Sequence, residues 1–227
     1  MNSSSPASVL NGLLNDRHSC RAFLPDTVPR EVQERLLQMA QRTASWCNSQ
    51  PWQVHITEGA ATERLRDALK AAPPSDTPGP DFPWPSAYRG VYLERRRECG
   101  FALYDSVGIA RGDREASARQ AQENFRLFGA PHVAIVTSDR SLDVYGAIDC
   151  GAYVANFLLA AASLGVSTIP QAALASRSQQ LREFFELGDD RRVVCGISFG
   201  YADKAHPANA FRTSRASVNA AAAWVSA

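Results

Sequence analysis

The sequence predicts an α+β fold of one domain, a sheet flanked by helices that outnumber its strands. Three observations carry that expectation. Two apolar runs, PHVAIVTS at 131–138 and RRVVCGISFG at 191–200, have the continuous character of strands buried on both faces. Between them, VYGAIDCGAYVANFLLAAASLG at 144–165 reads as a long helix, rich in small residues and apolar on most faces. Such a helix belongs inside a protein or at a subunit interface. The remaining apolar positions fall into shorter amphipathic segments.

Taken in chain order, SVLNGLLN at 8–15 reads as one or two helical turns. PREVQERLLQMAQRTA at 29–44 puts Val32, Leu36 and Met39/Ala40 on one helical face, with Pro29 near the start. QVHIT at 53–57 alternates and is β-branched, a strand candidate, and TERLRDALKA at 62–71 is a short amphipathic helix. The stretch 71–88 then breaks every regular pattern with six prolines, as a linker or a loop over a site does. Helical segments follow at about 88–110 and 113–128, with an aromatic series running from Tyr88 to Phe128. Gly165 ends the long helix, and 176–187 forms another helix with Ser176 as its expected N-cap. The tail, 201–227, has no core of its own and reads as an arm lying on something else, such as a second subunit.

Composition narrows the function. Among 227 residues, 24 Lys and Arg face 23 Asp and Glu, a net charge of +1 that argues against general affinity for nucleic acid or anionic membrane. Five dispersed cysteines make no disulfide framework, and the first residues lack the pattern of a secretory signal. No uncharged apolar run reaches the length of a membrane span. A cytoplasmic protein is expected.

Several motifs fail on context. GISFG at 196–200 matches a nucleophile elbow, but YADKAHPAN follows where the elbow needs a helix. Its glycines fit close packing within a strand. The four histidines stand at no metal-ligand spacing, and neither a dinucleotide fingerprint nor a P-loop is present. Difficult chemistry here needs an organic cofactor. One local feature stands out against the neutral background. RHSCR at 17–21 gathers two guanidiniums, an imidazole and a hydroxyl, either an exposed basic turn or a seat for an anion.

Four stretches together resemble the flavin-dependent nitroreductase family: RHSCRAFLPDTVP at 17–29, TASWCNSQPWQVHI at 43–56, GVSTIPQAAL at 165–174 and HPANAFRTSRA at 206–216. The resemblance covers nearly the whole chain. It implies one nitroreductase-like domain over 1–227, with a central mixed or antiparallel sheet flanked by helices. A lid is expected at about 73–128 and a tail at about 201–227 that wraps the partner of a homodimer. It also implies FMN held without a covalent bond at the subunit interface, with NADH or NADPH as electron donor in ping-pong two-electron reduction.

Carried over residue by residue, the resemblance places Arg17 and Ser19 at the phosphate and ribityl end, with His18 contributing through its backbone. Arg21 falls near the pyrimidine edge and Arg215 on the phosphate, with Arg212 a weaker candidate. Ser45, Trp46 and Asn48 match positions that line the flavin from the partner subunit; many relatives carry Pro-Ser-Gly where this chain has Ala44-Ser45-Trp46. Pro170, Gln171, Ala172 and Ala173 match the stretch whose backbone amides face the flavin N5, the atom that accepts and returns hydride. Phe82, Trp84, Tyr88, Tyr92 and Tyr104 in the lid are candidates to stack on a flat substrate, although each also suits a core or dimer contact. The implied reaction takes a nitroaromatic to its nitroso and hydroxylamine products. Alternatives are a quinone or ene reductase, a reductive dehalogenase, a flavin-fragmenting enzyme or a non-catalytic flavin-binding redox module.

Overall fold

A computed structural model of the chain describes residues 5–71 and 79–226. Residues 73–78 of the expected lid therefore lie outside the described residues. The sheet has four strands, β1 (Gln53–Thr57), β2 (His132–Asp139), β3 (Ser167–Gln171) and β4 (Arg191–Gly200), in the order β1-β2-β4-β3. Each neighbouring pair is antiparallel. A single parallel bridge, Ser19 to Thr168, extends the β3 edge with a piece of the RHSCR segment.

Among the described residues the α-helices are α1 (Pro6–Asp16), α2 (Arg30–Ala40), α3 (Ala60–Lys70), α4 (Val91–Ser106), α5 (Arg114–Gln122), α6 (Asp143–Ser163) and α7 (Ser178–Phe185). Period-2 alternation in the buried strands divides them into layers. Ala134 and Val136 of β2 and Ile197 and Phe199 of β4 join Leu36 of α2 and Tyr153 and Phe157 of α6 in one core. Val133, Ile135 and Val193 join Leu65 and Leu69 of α3 and Leu181 of α7 in a second core on the opposite face. The α+β sandwich expected from the sequence follows from this division.

Four details depart from expectation. First, α1 is a full 11-residue helix, started by the Ser5 Oγ accepting from the Ser8 amide at 3.2 Å, and none of its residues is buried. Second, on α2 the buried positions are Gln33, Leu36 and Ala40, while Met39 is exposed. Gln33 tolerates burial because its Nε2 donates to the Val28 carbonyl at 2.8 Å. Third, Ser176 does not cap α7: it lies inside a 3₁₀ turn, Ala172–Arg177, and its hydroxyl donates to the Ala173 carbonyl. Fourth, β3 is a strand that no apolar run or alternation in the sequence announces. It lies at the sheet edge, where Pro170 is tolerated because an outward-facing position needs no amide donor.

By length and composition the helical stretch Arg140–Ser163, which contains α6, is the one segment among the described residues able to cross a membrane. Its packing explains that composition. Cys150, Tyr153, Phe157 and Ala161 are buried against the sheet and α2, and Gly146 fits tightly under Ser138. The opposite face of α6 presents Val144, Tyr145 and Ile148 to the exterior.

Candidate functional site

The segment 17–24 lies along the β3 edge, pinned from both sides. The Cys20 amide donates to Thr168 O at 3.0 Å, Phe23 N to Phe128 O at 3.3 Å, and Leu24 N to Tyr201 O at 2.8 Å. Cys20 and Phe23 are buried in a third small core with Phe128 and Ile169. Extended backbone with Cys20 inward turns Ser19 and Arg21 to the other face. Strand periodicity therefore aims the donors of RHSCR together into one cavity.

The end of the chain returns to meet them. Buried Asn209 accepts from the Arg21 amide through Oδ1 at 2.7 Å and donates through Nδ2 to Ala22 O and Asp203 O, each at 2.9 Å. The Arg21 guanidinium lies over the Phe211 ring, 5.2 Å from its centroid. These contacts set Arg212 and Arg215 opposite Arg17 across a cavity of about 400 Å³, which Asn15 and Ser19 also line.

This cavity is electropositive and uncompensated. Among the described residues, Arg17, Arg21, Arg212 and Arg215 form no ion pair with a carboxylate. Arg215 and Arg212 donate only to nearby backbone and hydroxyl oxygens, of Thr213 and Ser214 and of Asn209 and Phe211. Burial, and then the charge of Arg215 beside it, hold the Arg17 pKa below its ordinary value; burial alone lowers that of Arg21. Guanidiniums remain charged under such shifts. Like charges gathered without a counter-ion make a site that an anion stabilises. The His18 side chain donates through Nδ1 to Asp16 O at 2.9 Å.

Ser19 and Arg21 also line a second cavity of about 290 Å³, floored by Pro170, Gln171 and Ala172 and walled by Tyr104 and Asn124. Gln171 is fully engaged inside the protein: its Nε2 donates to Asn124 O at 2.9 Å and its Oε1 accepts from Ser198 Oγ at 2.5 Å. Ser198, the serine of the GISFG motif, is thus a buried scaffold hydroxyl. A side chain at Gly196 would strike Leu174, which accounts for the glycine. Pro170 has no amide proton, so donors in this stretch are limited to its neighbours. The amides of Ala172 and Ala173 open the 3₁₀ turn, where no carbonyl within the turn receives them.

Other expected residues stand elsewhere in the single chain. Ser45, Trp46 and Asn48 line neither cavity. They form a tight turn in which Cys47, Asn48 and Gln50 have φ of 53°, 56° and 47°, strained for non-glycine residues. Asp149 of α6 holds it, accepting from the Trp46 amide at 3.2 Å and the Ser49 hydroxyl at 3.4 Å. Trp46 is 62% exposed, its ring 4.6 Å from that of Tyr145. Of the five aromatics expected to stack on a substrate, Tyr104 lines the second cavity, where Phe128 joins it. Phe82 lies under Arg192, 5.5 Å from ring centroid to guanidinium, and Tyr88 under Arg96 at 5.3 Å. Trp84 and Tyr92 are exposed.

Sequence reasoning missed Asn209, Asn124 and Asp149. Asn209 stands in the quoted HPANAFRTSRA stretch, which was the one available signal; the other two carry none.

Comparison with known proteins agrees with this fold. The sequence model of the Nitroreductase family matches residues 14–201. The chain is 36% identical over 215 residues to "Nitroreductase NfnB" of Mycolicibacterium smegmatis, covering 94% of this chain and 91% of that one. It is 32% identical over 205 residues to "4-nitrobenzoate reductase" of Pseudomonas putida, with 90% of each covered. The crystal structure of the FMN-dependent nitroreductase NfnB from Mycobacterium smegmatis in complex with NADPH superposes with a TM-score of 0.92 at 33% identity, covering 98% of this chain and 100% of that one. With motif order, fold and overall match in agreement, this chain belongs to the nitroreductase family.

Proposed function

We propose that this chain is an FMN-dependent oxidoreductase that uses NAD(P)H to reduce nitroaromatic compounds, taking nitro to nitroso and on to hydroxylamine. One observation carries the reading: an arginine-rich cavity without carboxylates adjoins, through Ser19 and Arg21, a second cavity with an aromatic wall. The donor set fits FMN, which has a dianionic phosphate at one end and a flat ring at the other. Relatives named as nitrobenzoate and nitrobenzene reductases support the acceptor class.

In this reading Arg17 and Arg215 neutralise the phosphate, and Ser19 donates to it or to the ribityl chain. Arg21, fixed by Asn209 and Phe211, stabilises negative charge at the pyrimidine edge. Amides of Ala172 and Ala173 orient the ring from its edge. When bound, FMN supplies the two-electron carrier between nicotinamide and nitro group. No Asp, Glu or His lines the second cavity. The chain therefore contributes positioning and electrostatics, and protons come from solvent.

The site is completed in a homodimer. On α6, outward Val144, Tyr145 and Ile148 are followed by exposed Gly151, Ala152 and Ala155, an apolar face with a small-residue stripe suited to close helix contact. On α1, Val9, Leu10 and Leu14 face outward in the same way. Association through α6 brings the Asp149-held turn with Ser45, Trp46 and Asn48 to the neighbouring protomer's cavities. All five cysteines are free, in keeping with a cytoplasmic setting.

The test is direct. Purified protein is expected to be yellow with a flavin spectrum and to oxidise NAD(P)H when 4-nitrobenzoate is added, releasing the hydroxylamine. Protein that takes up no FMN, or that binds it and oxidises no nicotinamide with any acceptor, contradicts the reading.

A further inference from the structure

A third cavity, of about 520 Å³, lies between α4 and the C-terminal segment and is lined by Arg95, Glu98, Ala102, Arg212 and Arg215. It adjoins the arginine cavity, with which it shares Cys99, Arg212, Thr213 and Arg215. The three cavities therefore run in sequence: ring end, phosphate end, and this outer space. Its charge is again one-sided. Three arginines face one carboxylate, Glu98, whose Oε1 accepts from the Ser214 hydroxyl at 2.9 Å. Among the described residues Arg95 makes no ion pair. Ala102, Ala216 and Ala221 supply apolar wall beside the cations.

We propose that this outer cavity receives the adenosine end of the nicotinamide donor, and that Arg95 binds the ribose 2′-phosphate, making the protein selective for NADPH over NADH. The proposal rests on the activity read above, and it deepens it by assigning donor choice to one residue. A dinucleotide with its nicotinamide at the ring end reaches the outer cavity by extending past the phosphate end, with which that cavity shares its lining. Arg212 and Arg215 face both spaces; Arg215 stays with the FMN phosphate, and Arg212 meets a phosphate common to NADH and NADPH. Arg95 lines the outer cavity alone, so it alone can distinguish the extra phosphate. That phosphate is close to dianionic near neutral pH, and a guanidinium matches its oxygens with paired donors. Apolar alanine surface suits the adenine face.

The test uses FMN-loaded protein and the variants Arg95→Ala and Arg95→Lys. Arg95 is exposed on α4 and lines neither of the other cavities, so folding and flavin content should be retained. Adenosine 2′-phosphate is titrated calorimetrically, and kcat/KM is measured with NADPH and NADH. Arg95→Ala is expected to weaken adenosine 2′-phosphate binding and to lower kcat/KM for NADPH by about tenfold or more, the size of a lost charged hydrogen bond. NADH should change by less than about twofold, and Arg95→Lys should recover part of the loss. Unchanged adenosine 2′-phosphate binding, or equal losses with both nicotinamides, overturns the proposal and leaves the reductase reading intact. If neither nicotinamide is oxidised the reductase reading fails, and the calorimetric arm still decides the anion site.

Discussion

That Arg17 and Ser19 share one cavity was legible in the sequence because the pattern is local: a donor cluster in a neutral chain, in a segment short enough to be extended. Arg215 was readable only through its motif, since one surface arginine resembles another. Asn209 was readable only as a member of the HPANAFRTSRA stretch, with no role attached to it. Its value comes from hydrogen bonds to Arg21 and Ala22, 188 and 187 positions away, which leave no local pattern. Asn209→Ala removes three hydrogen bonds at a buried junction and should cost stability of roughly 2 kcal/mol in denaturant titration, with weakened FMN retention in the folded fraction. Unaltered stability would show that the junction does not fasten the C-terminal segment.

A second prediction at this scale concerns His132. Its Nε2 accepts from the Val28 amide at 2.9 Å, so the ring is neutral, with the proton on Nδ1 facing Thr57 O. Burial holds its pKa below the ordinary value of 6.5, and burial does the same to His55, reinforced by the Arg191 charge. As pH falls past 6.5 the unfolded chain takes up protons first. Stability is therefore complete above that pH and declines below it. The melting temperature should drop as pH is lowered from about 7.5 to about 5.5, and His132→Asn should flatten the decline; an identical slope in the variant would contradict the assignment.

Among the elements, long periodic segments were legible and short edge features were not. β2, β4 and α6 announced themselves through continuous apolar runs. β3 did not, because five residues that include a proline offer neither length nor a full ladder, and only an edge position admits them. Ser176 failed as an N-cap because a 3₁₀ turn occupies the space before α7 and takes its hydroxyl. The loop at 79–90 illustrates a non-local device. Asp81 receives the Arg182 Nη2 at 3.0 Å and the Val193 amide at 2.7 Å, with both side chains of the ion pair only 15% exposed. Asp81→Ala should cost about 3 kcal/mol in urea unfolding, because it leaves Arg182 without its anion, and should speed proteolysis within 79–90. Wild-type proteolysis rates would show that the loop is held by other contacts.

For the whole molecule, the neutral composition argued against general affinity for nucleic acid or anionic membrane and carried no information on where a second copy would sit. The apolar character of α6 was visible; which half faces the sheet and which faces outward required the fold. Ile148, 58% exposed amid Val144 and Tyr145, is the place to test assembly. On the proposed dimer, Ile148→Arg should yield monomers by light scattering and lose FMN, since a Trp46 turn from a second copy would no longer close the site. A wild-type protein that is monomeric yet retains FMN would contradict shared sites.

The central claim is that arginines from opposite ends of the chain converge on the phosphate of FMN. Flavin fluorescence quenching measures it most directly, comparing wild type with the Arg17→Ala/Arg215→Ala double variant after both are shown to be folded. The account predicts FMN affinity weakened by about a hundredfold or more, from the loss of two charge-assisted contacts. Equal affinity in the two proteins would contradict it.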